Sequence, residues 1–181
     1  RLHEQKNQKL LIDAFYQISN KIPEYTLHIY GEGPLESDLK KHVSKLNLEK
    51  RVIFEGTKSN IHKELINASL FVLTSHYEGM PNALLECMAL GLPCITTNYS
   101  PYSASEFIEN YNNGIIVEDN SIDTLKYEMY KVLTTPELAI KIGENAKHIT
   151  NHLTIENMTE KWIVFIEELV NKRVKNDSLY D

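Results

Sequence analysis

The sequence predicts an α/β protein of the Rossmann-like type: a doubly wound parallel sheet with helices on both faces. Three observations predict it. Short apolar runs of strand character alternate with helical patterns of about ten residues, which is how a parallel sheet threaded by crossover helices is written in sequence. Several strands run directly into turns rich in glycine, proline or asparagine. From Pro136 onward the pattern is helical only. No segment repeats at a fixed period and no low-complexity linker divides the chain. Residues 1–150 therefore read as the sheet domain, 151–175 as a separate C-terminal helix and 176–181 as a disordered tail.

Each element has its own signal. In QKLLIDAFYQISNKI, Leu11, Ala14, Phe15 and Ile18 recur at spacings of three and four, a helix with one buried face that Pro23 ends. YTLHIYGEG reads as a strand entering a glycine turn, and Pro34 opens a helix carrying Leu39 and Val43. RVIFEG is a strand, NIHKELINA a short helix, SLFVLTS a strand, and NALLECMALG a helix stopped by Gly91. PCITTN and GIIVED are further strands, and Ser121 caps the helix holding Ile122, Leu125, Met129 and Val132. In the C-terminal helix Ile155, Trp162, Phe165, Ile166 and Leu169 form an apolar stripe, which reads as packing in the core of the same domain.

Composition narrows the function classes. With 181 residues and 42% apolar content, the chain can bury the core of one domain. A net charge of −6 gives no electrostatic footprint for nucleic acid, so none is expected as a partner. Cys87 and Cys94 lie in or beside apolar runs without metal-ligand spacing and read as buried free thiols, which implies a reducing, cytoplasmic compartment. No apolar run approaches the roughly 20 residues of a membrane span, and RLHEQKNQK is too polar for a secretory signal. The start without methionine, directly before a helical pattern, reads as a piece of a longer chain.

In open α/β sheets ligands bind beyond the carboxyl ends of the strands, so chemistry is expected in the turns there. Four stand out, at 30–34, 55–60, 75–82 and 97–105, and all should face one crevice. Gly31-Glu32-Gly33-Pro34 lacks the third glycine of a dinucleotide fingerprint, and a plain strand-to-helix turn explains it at least as well. No Walker sequence, no Gly-x-Ser-x-Gly elbow and no paired histidine spacing for a metal occur. The third turn says more. Asn82 reads as the cap of the helix ALLECMAL, whose first amides would favour an anion, while Gly79 admits close approach and Pro81 fixes the chain. Glu78 and Glu86 flank this helix start, an arrangement suited to a ligand with hydroxyl groups, such as a sugar or ribose.

The segment from Glu78 to Glu86, with Ala89-Leu90-Gly91-Leu92-Pro93, resembles the E-x7-E region of the retaining, nucleotide-sugar-dependent glycosyl transferases group 1, of GT-B fold. RLHEQKNQKLLIDAF, LHIYGEGPLESDL, VIFEGTKSNI and NNGIIVE followed by IDTL resemble the family's other elements in the same order. The resemblance implies the C-terminal, donor-binding half of a two-domain enzyme that transfers a hexosyl unit from a UDP- or GDP-sugar, with retention, to a glycan or lipid-linked acceptor in polysaccharide or lipopolysaccharide synthesis. It implies no metal and no cofactor. It implies as partners the protein's own N-terminal GT-B domain and the inner face of the cell membrane, with the C-terminal helix crossing back toward that domain and leaving an apolar patch exposed.

By residue, the resemblance implies that Arg1 and Lys6 hold the donor diphosphate, that Glu78 lies beside the donor sugar and that Glu86 bonds the ribose hydroxyls. Amides of Gly79, Met80, Pro81 and Asn82 would hold sugar and phosphate oxygens. Gly31, Thr57 and Lys58 complete the substrate-binding set, Lys58 through its backbone. Two alternatives stand beside this: a nucleotide-sugar-binding module without activity of its own, and an epimerase or dehydrogenase, which the incomplete glycine fingerprint disfavours.

Overall fold

In the computed structural model, residues 1–101, 104–117, 121–151 and 153–177 are described. They fall into two compact units, Arg1–Lys147 and His148–Asp181. The first contains seven short strands among the described residues: β1 (Leu27–Tyr30), β2 (Val52–Gly56), β3 (Phe71–Leu73), β4 (Tyr77–Glu78), β5 (Cys94–Thr97), β6 (Ser100–Pro101) and β7 (Ile115–Val117). Its α-helices are α1 (Gln8–Ser19), α2 (Glu36–Lys45), α3 (Ile61–Leu65), α4 (Asn82–Ala89), α5 (Ile122–Thr134) and α6 (Pro136–Ala146). Every strand pair is parallel: β1 with β2, β3 with β5, β5 with β7 and β4 with β6. This is the Rossmann-like α/β fold that the alternation predicts.

Side-chain patterning explains the layers. Leu10, Leu11, Ala14, Phe15 and Ile18 fill one face of α1, which packs along α5 through Leu125, Met129 and Val132. Cys94, Ile95, Thr96 and Thr97 are all buried, so β5 is covered on both faces as a central parallel strand must be. The threonines tolerate this because their hydroxyls donate to carbonyls, Thr97 Oγ1 to Ser75 O at 2.6 Å.

Some boundaries differ from the reading of the sequence. Helix α1 stops at Ser19, before Pro23, and turns with Lys21 donating to Ile18 O. The predicted capping of α5 is present, with Ser121 Oγ accepting from the Thr124 amide at 3.3 Å. The predicted capping of α4 is not. Asn82 is the first helical residue, Pro81 occupies the capping position, and no side-chain cap bond forms. Chain direction is fixed there by the proline, which leaves Asn82 exposed and facing outward from the helix start.

The second unit is dominated by α7 (Ile155–Asp177). Asn176 and Asp177, expected in a disordered tail, continue this helix; the rest of that tail, 178–181, lies outside the described residues. Core packing for the Trp162 stripe is also corrected. Trp162 is 59% exposed and Ile155, Phe165, Ile166 and Leu169 are exposed as well, so they form an apolar patch on the surface. Trp162 and Phe165 meet edge to face with ring centres 6.0 Å apart.

Candidate active site

The segment preceding α1 ties the four turns together. The Leu2 amide donates to Glu32 O at 2.9 Å, the His76 amide to Gln5 O at 2.9 Å, and Thr74 Oγ1 to the carbonyls of Lys6 and Asn7. The Gly31 amide donates to Gly56 O at 2.7 Å, joining the first turn to the second. Parallel pairing of Tyr77 with Ser100 and Glu78 with Pro101 joins the third to the fourth. Tyr102 and Ser103 of the fourth turn lie outside the described residues.

The two glycines of the first turn are explained by this crossing. A Cβ at Gly33 would stand 2.2 Å from Leu2 O, and Gly31 has φ of +107° with the Arg1 backbone against it. Close passage of Arg1 and Leu2 therefore requires both glycines, and Arg1, exposed, is anchored through its main chain. Gly79 differs: a Cβ there would meet no atom within 4 Å. Packing does not demand this glycine, and the space beside it is open.

At the centre of the site Glu78 is buried and its Oε1 accepts two charge-assisted bonds, from Lys6 Nζ at 2.6 Å and from Ser75 Oγ at 2.6 Å. Lys6 is a quarter exposed, so its ammonium borders both the carboxylate and the crevice. Thr74 and Ser75 act on the two partners separately, Thr74 on the Lys6 backbone and Ser75 on the Glu78 carboxylate. Tyr99 is buried, its hydroxyl has no partner among the described residues, and burial together with the Glu78 charge pushes its pKa up to about 12.

Helix α4 starts four residues after Glu78 and has no acidic residue in its own first turn. Of the four residues expected to present amides, Pro81 has no N–H and the Asn82 amide already donates to Met80 O at 2.9 Å. The amides of Ala83 and Leu84, at the first turn of α4, are the ones the helix itself leaves without an i−4 acceptor. Gly79 and Met80 are exposed and Pro81 is buried. Glu86 lies one turn into α4 with its side chain half exposed; His62 Nε2 stands 3.9 Å from its Oε2, too far for a hydrogen bond.

In the second turn Thr57 and Lys58 are exposed. Lys58 Nζ pairs with Glu55 Oε2 at 2.9 Å, and Glu55 Oε1 meets His28 Nδ1 at 2.9 Å. These bonds hold the Glu55 carboxyl below its ordinary range, and the bond to Glu55 raises the Lys58 ammonium. Residues missed by the sequence reading are Ser75, Tyr99 and His62. Ser75 closes an apolar strand like many strand-ending serines, and only the position of Glu78 three residues on could have drawn attention to it. Among the described residues no group of three His, Cys, Asp or Glu side chains could hold a metal ion.

The sheet is of the parallel, Rossmann-like type, with the start of α4, the part-buried Lys6–Glu78 pair and Glu86 one turn on grouped at the carboxyl ends of its strands. The family model of glycosyl transferases group 1 matches residues 1–149, and the chain belongs to that family. It is 33% identical over 176 residues to an Escherichia coli UDP-Gal:alpha-D-GlcNAc-diphosphoundecaprenol alpha-1,3-galactosyltransferase, covering 95% of this chain and 45% of that protein. It is 29% identical over 164 residues to a Staphylococcus aureus poly(ribitol-phosphate) alpha-N-acetylglucosaminyltransferase, covering 90% and 33%. Among solved structures, a point mutant of S. aureus TarM in complex with fondaparinux, alpha-GlcNAc-glycerol and UDP superposes with a TM-score of 0.85 at 29% identity, covering 90% of this chain and 33% of that one. The C-terminal domain of a group 1 glycosyl transferase, LpcC from Francisella tularensis, gives 0.74 at 27% identity, covering 84% and 82%. The chain spans less than half the length of these two curated relatives, and its match is to the C-terminal, Rossmann-like half of GT-B enzymes.

Proposed function

We propose that this chain is the donor-binding half of a retaining glycosyltransferase. In this reading it takes a hexosyl unit from a UDP- or GDP-sugar and passes it to a glycan or lipid-linked acceptor, in polysaccharide or lipopolysaccharide-type synthesis. It works with an N-terminal domain in the cytoplasm, at the inner face of the membrane. The observation that carries this is the buried Glu78, fixed by Lys6 and Ser75 beside the start of α4, with Glu86 one turn further on. Relatives named for a UDP-galactose donor with a diphosphoundecaprenol-linked acceptor, and for a poly(ribitol-phosphate) acceptor, support the donor and acceptor classes.

The chemistry follows from charge. Breaking the sugar–phosphate bond builds negative charge on the leaving diphosphate, which Arg1, Lys6 and the first amides of α4 stabilise more in the transition state than before it. Those fixed positive groups do the work in a reaction without a metal ion. Glu86 accepts from the ribose hydroxyls. Glu78, with one oxygen tied to Lys6 and Ser75, orients the donor sugar and holds Lys6, and the departing phosphate takes the acceptor's proton on the same face. The two-carboxylate scheme of glycoside hydrolysis therefore does not apply.

Sugar transfer by the chain joined to its N-terminal half tests this reading. Product with the donor's anomeric configuration, formed equally with and without EDTA, is expected. Nucleotide binding without transfer would favour the binding module, and inverted product would contradict the mechanism.

A further inference from the structure

Tyr99 carries a polar group for which neither packing nor the proposed chemistry gives a use. The residue is 2% exposed, and its hydroxyl has no hydrogen-bond partner among the described residues. A buried hydroxyl left unpaired costs stability, so its retention calls for a partner gained in another state of the site. The fold puts this hydroxyl beside Glu78. Register in the parallel β4–β6 pair sets Glu78 opposite Pro101, and Tyr99, two positions before Pro101, falls on the same face at the diagonal position, a separation that an aromatic side chain can bridge. Burial, and after it the Glu78 charge, push the phenol's pKa up to about 12, so it stays protonated and able to donate. The backbone between them is held as well: Thr97 Oγ1 donates to Ser75 O at 2.6 Å, and Ser75 Oγ to Glu78 Oε1 at 2.6 Å.

Both bonds to the Glu78 carboxylate found among the described residues go to Oε1, and one of them comes from Lys6. Lys6 is a quarter exposed and borders the crevice. In the function proposed above, on which this step rests, the same ammonium meets the donor diphosphate. An ammonium drawn toward a diphosphate gives Glu78 less, and a buried carboxylate that loses a charged partner must gain another donor or take up a proton. We propose that Tyr99 is a positioning residue: with donor bound, its hydroxyl donates to Glu78 and holds the carboxylate ionised and in place while Lys6 turns to the diphosphate. The hydroxyl that is unpaired in the empty site is then paired in the loaded one, and Glu78 keeps two donors in both.

The test titrates UDP and GDP into the wild-type chain, Tyr99→Phe, Glu78→Gln and the double variant, with thermal unfolding of each and NMR of carbon-labelled Tyr99 Cζ. Without nucleotide, Tyr99→Phe is expected to leave the unfolding midpoint unchanged or raised, since the hydroxyl it removes is unpaired there. With nucleotide, it should weaken binding about tenfold, as for one hydrogen bond to a charged group. In the Glu78→Gln chain the same change should cost nothing further, and saturating nucleotide should shift the Tyr99 Cζ resonance in the wild type but not in Glu78→Gln. A midpoint lowered by several degrees would show the hydroxyl already bonded in the empty site and would overturn the proposal. So would losses that add in the double variant, or a Cζ resonance that nucleotide does not move. If the wild type binds nucleotide and Tyr99→Phe binds it equally, the proposal alone fails; if the wild type binds neither nucleotide, the donor-binding reading fails and the proposal with it.

Discussion

Oε1 of Glu78 is the atom on which the site turns, because it receives Lys6 and Ser75 together in a buried setting. Glu78→Gln keeps the shape and removes the charge, so transfer by the two-domain enzyme should fall by about 100- to 1,000-fold, the range for loss of a group acting on transition-state charge. Ser75→Ala removes one hydrogen bond to a charged group, about 1.5–3 kcal/mol, and should lower kcat with KM little changed; a loss confined to KM would contradict the orienting role. The glutamates were legible in the sequence through their spacing around the turn. Ser75 was not, since nothing in a linear reading tells which strand-ending serine reaches back to a carboxylate. The thiols also belong to this scale. Burial pushes Cys87 up to about 12 and Cys94 well above its ordinary value, so both stay protonated and unreactive at pH 8. A thiol reagent should label neither in the folded chain and both in denaturant. Because the folded pKa exceeds the unfolded value of about 8.5, the native state holds more protons above that pH, and Cys87 makes stability decline as pH rises from about 9 toward 12.

Helix boundaries separate two asparagine and serine positions that look equivalent in sequence. Ser121 accepts from the Thr124 amide, whereas Asn82 makes no capping bond and sits inside α4. Urea unfolding should therefore show Ser121→Ala costing about 1 kcal/mol, with Asn82→Ala within about 0.5 kcal/mol of the wild type, as for an ordinary surface change. Equal losses would restore the capping role that the sequence suggests. Glycines make a second contrast. Gly143 of α6 meets the Gly91 carbonyl, where a Cβ would stand 2.3 Å from the oxygen, so Gly143→Ala should destabilise by about 1–3 kcal/mol. Gly33→Ala should displace Leu2 and with it Lys6, weakening nucleotide binding before it unfolds the chain. Strands of three residues or more and helices of five or more were readable from their apolar patterns. Strands β4 and β6, of two residues each, carry no period, and the capping position shifted because Pro81, rather than Asn82, sets the entry of α4.

Across the molecule, the alternation of strands and helices announced the Rossmann-like sheet, and the order of motifs announced the family. Periodicity shows that a strand exists and says nothing of its neighbours, so it does not tell that β1-β2 and β3-β5-β7 form separate ladders. The exposed stripe on α7 is a further case: helical spacing identified one face of Ile155, Trp162 and Phe165 but not what, if anything, covers it. The account joins these scales in one claim, that the crevice above the parallel strands binds a nucleoside diphosphate through the start of α4 and Glu86. Calorimetric titration with UDP and GDP, on the wild-type chain and on Glu86→Ala, tests it most directly. Saturable 1:1 binding of one nucleotide, weakened about 10- to 100-fold by the substitution, as expected for losing a hydrogen bond to a charged group, is the predicted result. Binding of neither nucleotide, or equal affinity in both chains, would contradict it.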